Sequence, residues 1–213
     1  MAEFRYDIVK NPEIFMENRL PAHSDHRFFR GEVSEGESDA RFLLNGSWKF
    51  AYAENYGKAI PGFYAEDFDV SGWDEIPVPG HIQMHGYDRP AYVNTQYPWD
   101  GVDGIEPGEI PTHYNPTASY VRFFEVPEWM KGKRIILSFQ GVESGFALWI
   151  NGSYVGYSED SFTPSEFDVT ALLKEGSNRL AVQVFKWTAG SWCEDQDFYR
   201  FSGIFRDVFL FNP

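Results

Sequence analysis

The stretch Phe146-Ala147-Leu148-Trp149-Ile150-Asn151-Gly152-Ser153-Tyr154-Val155-Gly156-Tyr157 decides the fold. Two runs rich in aromatic and β-branched residues flank Asn151-Gly152, the pair best suited to the positive φ angles of a type I′ turn, so the spacing predicts a tight antiparallel hairpin. The same texture repeats outward. Trp48, Phe50 and Tyr52 alternate at period two, and residues 75–78, 119–126, 134–139, 153–158, 179–185 and 205–211 read as further strands separated by turn residues. Helix signal is confined to residues 168–176, where Asp168 stands at a capping position and Gly176 at a stop. The chain is expected to be an all-β sandwich.

Two segments stand apart from this pattern. Residues 1–40 are polar and punctuated by Asn11-Pro12, Leu20-Pro21, Gly31 and Gly36, with the clusters Ile14-Phe15-Met16 and Phe28-Phe29 available to pin them down, and are expected to form an ordered arm. The body then spans residues 41–213. Within it, residues 84–118 carry Pro90, Pro98, Pro107, Pro111 and Pro116 and read as an irregular loop. The aromatics Tyr87, Tyr92, Tyr97, Trp99 and Tyr114 argue that this loop is ordered and therefore functional.

Of 213 residues, 32 are acidic and 18 basic, a net charge of −14 that disfavours phosphate backbones and anionic membrane surfaces. Cys193 is the single cysteine, so a disulfide framework and a cysteine-based zinc site are excluded. With no signal-peptide pattern and no apolar run long enough to span a bilayer, the expected compartment is the cytoplasm. No nucleic-acid or membrane partner is expected.

The densest polar cluster is Trp192-Cys193-Glu194-Asp195-Gln196-Asp197-Phe198-Tyr199-Arg200. Carboxylates between aromatic rings suit a sugar, whose hydroxyls donate to the oxygens while ring faces pack on its C–H face; the same oxygens suit a hard cation. A solvated acidic loop with Arg200 as ion-pair partner fits the pattern equally. The pairs His23/His26 and His81/His85 are read as surface or core residues rather than metal ligands. Acidic neighbours disfavour a Cys193 thiolate, and the residue is expected to serve packing. A nucleophile elbow, a phosphate-binding glycine loop and an H-E-x-x-H motif are all missing from the sequence.

Several strings together resemble the N-terminal sugar-binding domain of the bacterial β-galactosidases of glycoside hydrolase family 2. They include Leu44-Asn45-Gly46-Ser47-Trp48-Lys49-Phe50, Tyr92-Val93-Asn94-Thr95-Gln96-Tyr97-Pro98, Pro164-Ser165-Glu166-Phe167-Asp168, Glu194-Asp195-Gln196-Asp197 and Ser202-Gly203-Ile204-Phe205-Arg206-Asp207-Val208. The resemblance implies a jelly-roll sandwich, with a catalytic TIM barrel and later domains outside these residues, and hence no hydrolysis by this chain alone. In the full enzyme it implies retaining hydrolysis of terminal β-D-galactosides such as lactose, with Na⁺ and Mg²⁺ as cofactors, the enzyme's other domains as partners and a homo-oligomeric assembly. It assigns Asn94 and Asp197 to the substrate, and Asp197 also to Na⁺. Gln96 departs from the best-known members; Ala189 stands where some relatives place an acidic ligand of a second metal, so no second metal site is expected. The alternatives are a stand-alone carbohydrate-binding module and a domain of a related β-glucuronidase or β-mannosidase.

Overall fold

The computed structural model describes residues 3–24, 29–31, 38–194 and 197–213. His26, Phe28, Asp195 and Gln196 lie outside the described residues. In chain order the strands are β1 (Met16–Glu17), β2 (Arg41–Leu43), β3 (Gly46–Ala53), β4 (Asp74–Val78), β5 (Ala91–Val93), β6 (Thr117–Glu125), β7 (Ile136–Phe139) and β8 (Val142–Glu143). They continue with β9 (Gly145–Ile150), β10 (Ser153–Ser158), β11 (Ser165–Asp168), β12 (Ser177–Phe185), β13 (Phe198–Arg200), β14 (Gly203–Ile204) and β15 (Val208–Phe211). A seven-stranded sheet, ordered β1-β10-β9-β12-β6-β3-β4, faces a four-stranded sheet, β11-β7-β15-β2. This is the expected all-β sandwich.

The predicted hairpin is present: Ser153 pairs with Ile150, and Asn151 and Gly152 adopt φ of 49° and 78°. Alternation along its strands sends side chains to two different cores. Phe146, Leu148 and Ile150 face inward with Leu180, Val182 and Val184 of β12, against Leu137, Phe139, Val208 and Leu210 of the smaller sheet. Ala147 and Trp149 point the other way, together with Ala181 and Phe185, into a second core closed by Ile8, Val9 and Phe63. The large sheet is therefore covered on both faces, which explains why β9 and nearly all of β12 are buried rather than half-buried. Each fully buried aromatic or aliphatic side chain stabilises this arrangement by about 1.5–3 kcal/mol.

The arm lies against this second core. Its strand β1 pairs with β10, Met16 opposite Ser158 and Glu17 opposite Tyr157. Phe4, Ile8, Val9 and Ile14 supply the apolar contacts, with the Phe4 ring 5.6 Å from Trp149. Phe15 and Met16 are exposed, because the β1 backbone is what fastens that part of the arm.

Three expectations are corrected. Residues 168–176 form only the 3₁₀ turn Thr170–Leu172, in which Asp168 Oδ1 accepts the Thr170 N–H (3.1 Å) and Gly176 turns the chain at φ 73° into β12. A segment this short cannot repay helix nucleation. Of residues 205–211 only Val208–Phe211 (β15) form a strand; residues 205–207 bend between β14 and β15, and Gly141 packs so closely there that a Cβ would lie 2.8 Å from the Phe205 ring. Cys193 is exposed, just beyond a turn on the surface, so it has no packing role. Among the described residues no helix is long and apolar enough to cross a membrane.

Candidate functional site

At one end of the sandwich the long loop and the acidic cluster meet. Strands β5 and β13 form a small ladder of their own, with Val93 opposite Phe198, Tyr92 opposite Tyr199 and Ala91 opposite Arg200. Asn94 follows β5 and Asp197 precedes β13, so the ladder brings the two predicted site residues together. The Asp197 N–H donates to the Asn94 carbonyl at 3.3 Å. Asp197 sits at φ 57°, a left-handed conformation that aspartate tolerates better than most residues. Its Oδ1 accepts a hydrogen bond from the Tyr92 hydroxyl, and that carboxylate pushes the Tyr92 phenol up from its ordinary pKa.

The two side chains line adjoining hollows. Asn94 borders one of about 240 Å³, with Thr95, Tyr97, Trp192 and Glu194. Asp197 borders another of about 450 Å³, whose other walls include Phe162, Phe198, Phe201 and Phe205, with His81 and Glu143 contributing polar groups. Tyr92, Tyr199, Phe162 and Phe198 are exposed around this second hollow, ring faces of the kind that pack on apolar faces of a sugar.

Aromatic packing orders the loop as its composition predicts. Tyr97 lies 5.3 Å from Trp99 and 4.5 Å from Trp192, and buried Trp99 lies 5.7 Å from Trp187. The Trp192 indole N–H donates to the Glu109 carbonyl at 2.6 Å. Beneath this layer the Lys186 ammonium pairs with Asp88, both side chains essentially inaccessible to solvent. Burial opposes the charge on Asp88. Lys186, with hydrogen bonds from Tyr114 and Gln83, outweighs it and holds the carboxyl below its ordinary range.

The ion pair expected of Arg200 is present, but it is buried rather than solvated. Arg200 is 4 % exposed and reaches Glu194 Oε2 at 3.3 Å and the Glu194 carbonyl at 3.0 Å, tying together the two flanks of the acidic cluster. Ser144 and Ser161 also donate to the Glu194 carboxylate. Nearby Glu143 accepts the Phe201 N–H at 3.2 Å, and burial, reinforced by the charge on Glu194, pushes its carboxyl up to about 7. His81 stacks between Phe201 (4.7 Å) and Phe205 (5.0 Å), and burial pulls its imidazole below the ordinary value. His23 is elsewhere, bonded to Glu166 Oε2 at 2.8 Å. Among the described residues no three His, Cys, Asp or Glu side chains are placed to hold a metal together.

Sequence reasoning passed over Tyr92, His81 and Glu143 as site residues. Tyr92 stood two positions from Asn94 and could have been found there. Nothing in the sequence around Glu143 distinguishes it from a surface glutamate.

Comparison with known proteins covers nearly the whole chain. Residues 42–213 match the family model described as "Glycosyl hydrolases family 2, sugar binding domain". The chain is 54 % identical to a β-galactosidase of Clostridium acetobutylicum over 96 % of its own length and 23 % of that protein. It is 47 % identical to a β-galactosidase of Streptococcus thermophilus over 99 % of its length and 21 % of the relative. It thus spans roughly a fifth of the relatives it matches. Among solved structures, a Bacteroides uniformis β-glucuronidase superimposes with a TM-score of 0.59 at 26 % identity, covering 80 % of this chain and 17 % of that one.

Proposed function

Since the chain belongs to glycosyl hydrolase family 2, as its sugar-binding domain, we propose that it forms one wall of the active site of a retaining β-galactosidase acting on terminal β-D-galactosides such as lactose. The juxtaposition of Asn94 and Asp197 across the β5–β13 ladder carries this reading: it sets an amide and a carboxylate side by side among exposed rings. The identity of 47–54 % to proteins named β-galactosidase favours galactosides over the glucuronides suggested by the solved structure at 26 %.

In this reading the acid/base and nucleophilic glutamates lie in a barrel outside these residues, and the chain's contribution is binding. The Asn94 amide offers both donor and acceptor to sugar hydroxyls. The Asp197 carboxylate accepts a hydroxyl hydrogen bond while Tyr92 holds its other side, so its direction is set before the sugar arrives. Such bonds accelerate the reaction where they strengthen as the ring flattens toward an oxocarbenium ion. Asp197 also presents the hard oxygen donor that a Na⁺ ion takes, and Na⁺ held there supplies a positive centre for sugar oxygens. Because no three such side chains among the described residues could hold a metal together, the remaining ligands, and those of Mg²⁺, are assigned in this reading to other parts of the enzyme. The enzyme is cytoplasmic and homo-oligomeric, with its own other domains as partners of this chain.

Asp197→Ala in the whole enzyme is the test. It lowers kcat/KM for a β-galactoside by about 2–4 kcal/mol, roughly 30- to 1000-fold, and abolishes the response to Na⁺. Unchanged kinetics with an unchanged Na⁺ response would sink the assignment.

A further inference from the structure

Behind the sugar-facing wall, a buried carboxylate grips the segment that leads to Asp197. Glu159 is 5 % exposed and accepts three hydrogen bonds: the Tyr157 hydroxyl to Oε1 at 2.7 Å, and the Thr188 hydroxyl and Gly190 N–H to Oε2, each at 2.9 Å. Thr188 and Tyr157 are fully buried. Thr188 opens the 3₁₀ turn Ala189–Trp192 with a reciprocal capping arrangement, its N–H donating to Ser191 Oγ at 3.0 Å. Gly190 suits the grip because a Cβ there would lie 2.3 Å from Glu159 Oε2, and Gly145 suits it because a Cβ would lie 2.7 Å from the Thr188 methyl. An acid in such surroundings is costly, and burial pushes its carboxyl up to about 7 against the pull of those hydrogen bonds. An apolar side chain would fill the space without that cost, but it would leave the Gly190 N–H and the Thr188 hydroxyl without this acceptor.

The turn held by Glu159 touches both halves of the site. Its Trp192 packs on Tyr97, whose hydroxyl donates to the Trp192 carbonyl at 3.3 Å, on the rim of the Asn94 hollow. Glu194, two residues beyond the turn, is tied by Arg200 to β13, which begins at Phe198 beside Asp197. Resting on the reading of Asp197 and Asn94 as sugar-contacting residues, we propose that Glu159 is a positioning residue for glycoside binding, acting through the Thr188–Trp192 turn on both of them.

The experiment is steady-state kinetics of the whole enzyme with a β-galactoside, on Glu159→Ala, Glu159→Gln, Gly190→Ala, Asp197→Ala and the double variant Glu159→Ala/Asp197→Ala, with melting curves to establish folding. Glu159→Ala should raise KM about tenfold or more, since small displacements of positioning groups are costly to binding and rate. Glu159→Gln should recover to within about threefold of wild type, because its amide oxygen still accepts from Gly190 and Thr188. In the Asp197→Ala background, Glu159→Ala should cost about threefold or less, clearly below its cost alone, because only the part acting through Asn94 remains. Gly190→Ala displaces the turn while keeping the carboxylate, and should raise KM comparably; it carries the test if Glu159→Ala does not fold. If Asp197→Ala raises KM while Glu159→Ala and Gly190→Ala leave it unchanged, or if the Glu159 and Asp197 losses simply multiply, the positioning role is overturned. If Asp197→Ala itself has no effect, the sugar-facing assignment fails instead.

Discussion

Asp197 and Asn94 are joined by a main-chain hydrogen bond, the N–H of one to the carbonyl of the other at 3.3 Å, although they come from distant parts of the sequence. The contact makes one surface of a proline-rich loop and an acidic segment that are otherwise separate. A disturbance of the β5–β13 ladder therefore moves both side chains at once.

Tyr92→Phe isolates the contribution of side-chain aiming. The ring is largely exposed, and losing its hydroxyl leaves the ladder intact while removing the hydrogen bond to Asp197 Oδ1. In the whole enzyme kcat/KM should fall roughly fivefold, with no change in melting temperature. A loss accompanied by lowered stability would contradict an orienting role.

The 213-residue chain by itself should bind galactosides too weakly to detect. Asn94 and Asp197 line open hollows, one wall of a site that in this reading the barrel completes. Trp192, beside Asn94, serves as a fluorescent reporter, and titration with lactose to tens of millimolar should leave its emission unchanged. A saturable response would favour a free-standing carbohydrate-binding module.

Lys186→Met tests the ion pair beneath the loop. Removing the ammonium leaves Asp88 buried without its counter-charge, and denaturant unfolding should show a loss of about 3–5 kcal/mol. Adding Asp88→Asn should restore much of that loss, because the amide can keep hydrogen bonds with Gln83 and Tyr114 without a buried charge.

Glu143 makes stability depend on pH. The folded protein holds this proton up to about pH 7, while an unfolded glutamate releases it near 4.5, so the folded state binds more protons throughout that interval. Stability from this group is fully present below pH 4.5 and declines as pH rises to about 7. Glu143→Gln keeps a neutral acceptor for the Phe201 N–H at every pH. Melting curves should therefore show wild type losing about 3 kcal/mol relative to the variant across the interval, with no further divergence above it. Parallel curves from pH 4.5 to 8 would contradict the raised carboxyl.

Some of this architecture could be read locally and some could not. The Asn151-Gly152 hairpin and the alternation of Trp48 and Phe50 were legible because turn chemistry and period-two burial act between near neighbours. The aromatic content of the long loop likewise announced its order. The pairing of β5 with β13 left no such trace: each strand is three residues long, too short to show periodicity, and its partner is remote in sequence. That Asn94 and Asp197 bear on a sugar was inferred from a resemblance, and only the three-dimensional pairing shows them adjacent. Glu143 and Glu159 were invisible for a different reason. A single glutamate at or just beyond a strand end has no signature of burial until the opposing elements, here Gly190 and Phe201, close over it.

The pairing of β1 with β10 bears on self-association. An uncovered strand border offers free N–H and C=O groups to another molecule, and this large sheet ends in two guarded borders. On one, the two-residue β1 shields the β10 backbone at Ser158 and Tyr157; on the other, Pro77 interrupts the donors of β4 opposite Ser47. Detaching the arm would turn β10 into a template for intermolecular pairing, so the same short strand that anchors the chain's first residues also keeps neighbouring copies from stacking onto the sheet.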